Sequence, residues 1–243
     1  MVINMKEHLL ALRGRDAVNN VVILPLGSLE NHGVLPLGTD TLIASCVAER
    51  AVLGASCPGV LVAPLIPYTV SIEHTIPRVT AEPDTFIRYL VEVSRSLLEW
   101  SKGLVLAVFH GGVYPVAYMA ARRLRVEGLN VAVFNSWDRV TSYLEKRYGV
   151  RVGLMHADPV EASLLLACGY SMGVKEAGKE DVINALKTSK QREPRHAPWV
   201  HRDVPSLYPS EEVTGSKELG RELLDFLAQE LADYTCSLAG RDS

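Results

Sequence analysis

The feature that most constrains this chain is a set of short apolar runs at residues 20–26, 59–64, 104–109 and 130–134. They are continuous rather than alternating, and rich in β-branched residues such as Val21, Val22, Ile23, Val60, Val62, Val131 and Val133. Runs of this kind suit strands buried on both faces, as in a parallel sheet covered by helices. Helical patterns lie between them, at 42–52, at 84–99 with Phe86, Leu90, Val93 and Leu97 on one face, and at 114–127. Pro83 and Asp84 stand where a helix N-terminus tolerates proline and favours an acid. Two later patterns, 161–167 and 217–231, add helices. Alternating β and α elements predict a layered α/β fold. The segment 187–213, with Pro194, Pro198, Pro205 and Pro209, follows neither period and reads as a loop or flap.

With 48% hydrophobic and 22% charged residues, the 243-residue chain is well supplied for a sizeable core, and no linker divides residues 1–243 into two domains. A formal net charge of −3 does not favour a polyanionic partner, which argues against nucleic acid or an anionic membrane and for a small-molecule substrate. Residues 1–13 read as an amphipathic helix without the apolar core of a signal peptide, and no run is long enough to span a bilayer. Cys46, Cys57, Cys168 and Cys236 lack paired spacing and are expected to be reduced core thiols of a cytoplasmic chain.

Ligands in open α/β sheets collect beyond the carboxyl ends of the strands, so the polar residues after each run carry the functional information. The first run is followed by Glu30, His32 and Asp40 within one short loop. Glu30 and His32, two apart, share a face of extended backbone, while Gly33, Pro36 and Gly38 can fold the chain back to present Asp40. Two carboxylates and an imidazole suit Zn, Mn or Fe. The alternative makes Glu30 and His32 plain loop residues and Asp40 the N-cap of a helix beginning near Leu42. His110 follows another strand, with Gly111 and Gly112 allowing close approach of a substrate. His156 precedes Pro159 and Glu161, which mark a helix start after a short run at 150–155. Glu73 and His74 follow the second strand as either a solvated loop or a substrate contact. His196 and His201 lack ligand spacing, and His8 reads as surface.

These residues resemble the creatininase, or creatinine amidohydrolase, family along nearly the whole chain. The strongest stretch runs from Leu26 through Gly27-Ser28-Leu29-Glu30-Asn31-His32-Gly33 to Leu35-Pro36-Leu37-Gly38-Thr39-Asp40. Weaker matches follow in the expected order: Ser71 to His74 with Pro77, Glu82 to Phe86, His110-Gly111-Gly112, His156-Ala157 with Glu161, and Ser216 to Gly220. The resemblance implies a three-layer α/β/α single domain with a mostly parallel central sheet. It also implies two divalent metal ions, with Zn ahead of Fe or Mn, and homo-oligomers, often hexamers. By it, Glu30 and His110 hold one ion, His32 the other, and Asp40 bridges them. Glu161 is the candidate for the remaining ligand, because some members carry a glutamate where this chain has Gly112. His156 matches the proton-transfer histidine, with Glu161 in that role if it is not a ligand; Glu73, His74, Gly111 and Gly112 are the candidate substrate contacts.

Two departures stand out. The loop between His32 and Asp40 is one residue shorter than the usual pattern, and the asparagines that usually frame the His-Gly-Gly motif are Val108 and Val113 here. The family implies hydrolysis of a C–N amide bond, in substrates from the cyclic amide of creatinine to a formylamino-pyrimidine nucleotide, and the shorter members favour the second. For a phosphorylated substrate, Arg78, Arg195 and Arg202 are the available cations. The missing asparagines favour a rival, a family member that serves as a metal-containing binding or assembly subunit.

Overall fold

In the computed structural model, which describes residues 7–151, 156–188, 200 and 208–240, the four apolar runs form β1 (Val21–Leu26), β2 (Val60–Val62), β3 (Gly103–Val108) and β4 (Val131–Asn135). They pair in the order β2-β1-β3-β4, all parallel, with Val21 opposite both Val60 and Gly103 and with Leu104 opposite Val131. Every residue of β1 and β3 is buried, which is why neither run alternates in sequence.

The helices are α1 (Gly14–Ala17), α2 (Thr39–Gly54), α3 (Pro83–Leu98), α4 (Tyr114–Val126), α5 (Ser136–Tyr148), α6 (Pro159–Ala167), α7 (Lys179–Thr188) and α8 (Lys217–Ala239). Val22, Leu24, Leu104 and Leu106 pack on one face of the sheet against Phe86 and Leu90 of α3 and Ala117, Ala120 and Leu124 of α4. Val21, Ile23, Val105 and Ala107 point the other way, into a core shared with α2, α6 and α8. The period of two along a strand thus feeds two helical layers, giving the three-layer arrangement. Helix α8 packs against both α2 and α6. At Gly220 the approach is so close that a Cβ would overlap the Ser163 carbonyl of α6.

Several expectations need correction. Helix α2 begins at Thr39 with Gly38 as its N-cap, so Asp40 lies inside the first turn and is not the cap of a helix starting at Leu42. Helix α8 runs on to Ala239. Helix α5 buries only Ser136, Val140 and Leu144, too thin a stripe to register as periodicity, although Asn135 caps its start and Gly149, in the left-handed region at φ 64°, ends it. Helix α7 and a separate parallel pair, β5 (Val174–Glu176) with β6 (Val213–Gly215), were likewise not anticipated. The N-terminal helix does not form over its described part: Leu9–Ala11 make a 3₁₀ turn and half-buried His8 bridges to Val62, while residues 1–6 lie outside the described residues. The run at 150–155 beyond Arg151, and most of the 187–213 loop including Arg195, His196, His201 and Arg202, also lie outside them.

The cysteines are not reduced thiols. Cys46 pairs with Cys168 and Cys57 with Cys236, across sequence separations of 122 and 179 that no local spacing betrays. Disulfides belong to oxidising compartments or to intracellular proteins of hyperthermophiles, so the expected cytoplasmic location loses the support that free thiols gave it. No helix among the described residues is long and apolar enough to cross a membrane.

Candidate metal centre

The chain leaves β1, travels out through α2 to β2, and returns through α3 to β3 on the other side of β1. Strand order therefore reverses between β1 and β3, and a crevice opens beyond their carboxyl ends. The loop after β1 delivers Glu30 and His32, the first turn of α2 delivers Asp40, the residue pair after β3 ends in His110, and the first turn of α6 delivers Glu161. All five are between 1% and 3% exposed, and His74 and His156 join them at 2% and 4%. Burial this deep forces ionisable groups to pair, to change protonation or to bind a cation.

The hydrogen bonds fix which ring nitrogen faces the cluster. His32 Nδ1–H donates to the Glu30 carbonyl at 2.9 Å, which leaves Nε2 as the bare nitrogen. That Nε2 has no hydrogen-bond partner, yet lies 3.8 Å from Asp40 Oδ1 and 3.9 Å from both Glu30 Oε1 and Glu161 Oε2. His110 Nε2–H donates to the Val70 carbonyl at 2.7 Å, and Nδ1 faces Asp40 Oδ2 at 3.2 Å. Both carboxylate oxygens of Glu30 are buried without a hydrogen-bond partner. His32, Asp40 and Glu161 form one group able to hold a metal ion, and Glu30, His74 and His110 form another. Convergent bare nitrogens and unsatisfied carboxylate oxygens fit divalent cations of the borderline-to-hard kind.

The electrostatics of the ion-free cluster agree. Burial alone lowers the pKa of His32, but the nearby carboxylates of Asp40, Glu161 and Glu30 outweigh it and raise it to about 10. His110 is likewise raised, against burial, by Glu30 and Asp40. Asp40 is pushed far down, burial being overcome by its contacts with His110 and His32. Glu161 is raised by burial, which His32 opposes. Protons on His32 and His110 thus occupy the electrostatic place of cations.

A supporting layer surrounds these groups. Ser28 Oγ–H donates to Asp40 Oδ2 at 2.8 Å, and the Ala157 N–H donates to Glu161 Oε2 at 2.6 Å. Asp158 caps α6 through the N–H groups of Val160 and Glu161, and burial raises its pKa to about 6. Asn31 ties three pieces together: its side chain donates to Thr75 Oγ1, its Oδ1 accepts from Gly33 N–H, and its carbonyl accepts from His156 Nε2–H at 2.8 Å. Tyr208 reaches in from 134 residues away, its hydroxyl 3.1 Å from His74 Nδ1 and accepting from Thr75 N–H. Sequence reasoning missed Ser28, Asn31 and Tyr208 as site residues; Ser28 and Asn31 sit inside the most specific motif, whereas nothing local marks Tyr208.

The candidate substrate contacts separate. His74 is no solvated loop residue but part of the cluster, 3.2 Å from Glu30 Oε1. Glu73 stays at the rim with its carboxylate 3.9 Å from His110 Nε2, and burial raises its pKa. Gly112 is required there, since a Cβ would collide with Glu73, His110 Nε2 and the Val70 carbonyl, whereas Gly111 is exposed with open space beside it.

The fold and the site define an α/β protein of three layers with a buried imidazole–carboxylate cluster, able to hold a metal ion, at its switch point. Residues 10–235 match the family model for creatininase, described as creatinine amidohydrolase, and the chain belongs to that family. It is 36% identical over 154 residues to the mycofactocin precursor peptide peptidase of Mycobacterium ulcerans (strain Agy99), covering 60% of this chain and 57% of that protein. It is 29% identical over 168 residues to the 3-dehydro-scyllo-inosose hydrolase of Thermotoga maritima (strain ATCC 43589 / DSM 3109 / JCM 10099 / NBRC 100826 / MSB8), covering 64% and 52%. The chain spans little more than half the length of these relatives. Its fold is similar to a crystal structure of creatinine amidohydrolase (creatininase), with a TM-score of 0.71 at 21% identity and coverage of 97% of this chain and 99% of that one.

Proposed function

We propose that this chain is a metal-dependent amidohydrolase that cleaves a C–N amide bond of a small molecule. The observation that carries the reading is a set of buried polar atoms with no hydrogen-bond partner, His32 Nε2 and both Glu30 carboxylate oxygens, with Nε2 3.9 Å from Glu30 Oε1. Glu30 and His110 would hold one divalent ion and His32 and Glu161 the other, with Asp40 between, its two oxygens turned one to each imidazole. Zn is the first choice for such ligands and Fe or Mn the alternatives. Bound there, such ions supply Lewis-acid activation of water and of a carbonyl at neutral pH.

The remaining chemistry falls to the chain itself. His156 donates through Nε2–H to the Asn31 carbonyl, which turns its bare Nδ1 to the cluster, 3.7 Å from Glu30 Oε1. Burial, with the charge of His32, lowers its pKa to about 3, so the imidazole rests neutral. It is placed to take a proton at Nδ1 and pass it to the departing nitrogen, which as an anion is too poor a leaving group. Glu161 is occupied by the Ala157 N–H and by His32, which supports its role as a ligand and leaves proton transfer to His156. Glu73, Gly111 and Gly112 form the rim at which substrate enters. Arg78 donates to the His74 carbonyl at 2.7 Å and so serves the loop.

Formamides, including a formylamino-pyrimidine nucleotide, and cyclic amides are the first substrates to test, with short peptides beside them because one relative is named a peptidase. Exposed Tyr89, Tyr118, Met119 and Val126 on α3 and α4 support self-association. The decisive experiment is elemental analysis of the parent and Asp40→Ala, followed by the amide panel with the recovered metal. About two ions in the parent, loss in the variant and turnover of an amide support the proposal. A parent that stays metal-free after Zn, Mn and Fe supplementation refutes it; two ions without turnover favour the binding-subunit reading, toward which the buried Val108 and Val113 point.

A further inference from the structure

We infer that His74 is a metal ligand, completing through Nε2 the ion site formed by Glu30 and His110. The inference rests on the two-ion reading above and assigns His74 a role other than the substrate contact that its sequence position suggests. Three observations converge.

The first is the group itself: one ligand atom each from Glu30, His74 and His110 falls within 4.8 Å of the others, all three side chains being buried. This set shares no residue with the group of His32, Asp40 and Glu161, while a third group, Glu30, His32 and His156, lies between them.

The second is the geometry of one contact. His74 Nε2 lies 3.2 Å from Glu30 Oε1, a hydrogen-bonding distance, yet that oxygen has no hydrogen-bond partner because the alignment is wrong. Two atoms aimed at a common third point, rather than at each other, have this appearance.

The third is the other ring nitrogen. A ligating histidine ordinarily donates its second N–H to a fixed partner, which sets the tautomer and the ring orientation. Nδ1 of His74 stands 3.1 Å from the Tyr208 hydroxyl, whose oxygen is itself held by the Thr75 N–H. The segment bearing Tyr208 is seated on the metal loop, since a Cβ at Gly33 would collide with Pro209. His74 also packs its ring against His156 at 4.4 Å between centroids, which restrains it further.

The test loads chelator-stripped protein with Co²⁺ and measures both affinities by chelator competition, alongside the visible absorption of bound Co²⁺. The variants are His74→Gln, whose amide keeps a bond to Tyr208 but is a poor ligand, and Tyr208→Phe, which removes the outer partner at the half-buried rim. His74→Gln is expected to weaken one ion about a hundredfold or more and change its absorption while the other ion stays as in the parent; Tyr208→Phe should weaken the same ion about tenfold. His74→Gln with both ions bound at parental affinity and spectrum overturns the inference and leaves the two-ion reading standing. A parent that takes up no Co²⁺ overturns both. Should His74→Gln fail to fold, Tyr208→Phe decides: unchanged affinity at both positions overturns the inference.

Discussion

Loading the stripped protein with Zn²⁺ at pH 7 should release at least about two protons per chain. In the ion-free cluster His32 has a pKa of about 10 and His110 is also raised, so both imidazoles are protonated at neutral pH, whereas His74 and His156 are lowered and neutral. Metal ligation needs the lone pair, so each ligated imidazolium gives up its proton. Two ordinary histidines of pKa about 6.5 would be roughly one quarter protonated at pH 7 and would release about half a proton between them. The excess, about one and a half protons, therefore measures the field of Glu30, Asp40 and Glu161. Glu161, raised by burial, and any ionising water add to the count rather than subtract from it. Calorimetric titration in two buffers of different ionisation enthalpy gives the number directly. The sign of the pH dependence follows: both imidazoles are raised, His32 to about 10, so affinity rises with pH above 7, by about tenfold per unit for each proton that the metal displaces. Release of less than one proton, or affinity that does not rise with pH, would refute the reasoning.

Replacing His156 with Ala should leave the ion count at the parental value while lowering kcat on any amide substrate by about 10²–10⁴-fold, as expected for loss of a general acid; a variant that keeps full turnover contradicts that role. Gly220→Ala forces a methyl against the Ser163 carbonyl and should cost about 1–3 kcal/mol, read as a lower Tm with the ion count unchanged. Removing the Cys57–Cys236 bridge with a double serine variant opens a loop that the Cys46–Cys168 bridge shortens to roughly 80 residues, and should lower the unfolding free energy by about 4.5 kcal/mol on the chain-entropy estimate, measured by urea titration. A variant as stable as the parent would show that the bridge does not constrain the unfolded chain.

The sheet was legible because strands buried on both faces must be apolar at every position, and the runs around Ile23 and Val105 satisfy that. Glu30, His32 and Asp40 were legible as a cluster because the short stretch from β1 into the first turn of α2 carries all three. His110 stands at a strand end, where a switch point gathers ligands, whereas Glu161 by its own position reads as a structural acid in a helix first turn and enters only through the family resemblance. His74 and Tyr208 were harder, because the contact that defines them spans 134 residues and leaves no periodic trace. The cystines failed for the same reason, pairing across 122 and 179 residues. Helix α5 leaves little apolar periodicity because it buries only Ser136, Val140 and Leu144, and its signature lies in the Asn135 and Gly149 that mark its ends.

Helix α8 gives the molecule a division of labour. It is the common bed for α2 and α6, the two helices whose first turns present Asp40 and Glu161, and the Cys46–Cys168 bridge ties those two helices to each other. The interval between the two carboxylates is therefore gauged from behind, by the girth of the helix on which both their helices rest. The loop carrying Glu73 and His74 meets instead the segment between β1 and α2, through the Asn31–Thr75 bond and through His74 beside Glu30. Such a body works like a jig with an exchangeable faceplate: the loops can be recut while the spacing of Asp40 and Glu161 stays where α8 sets it.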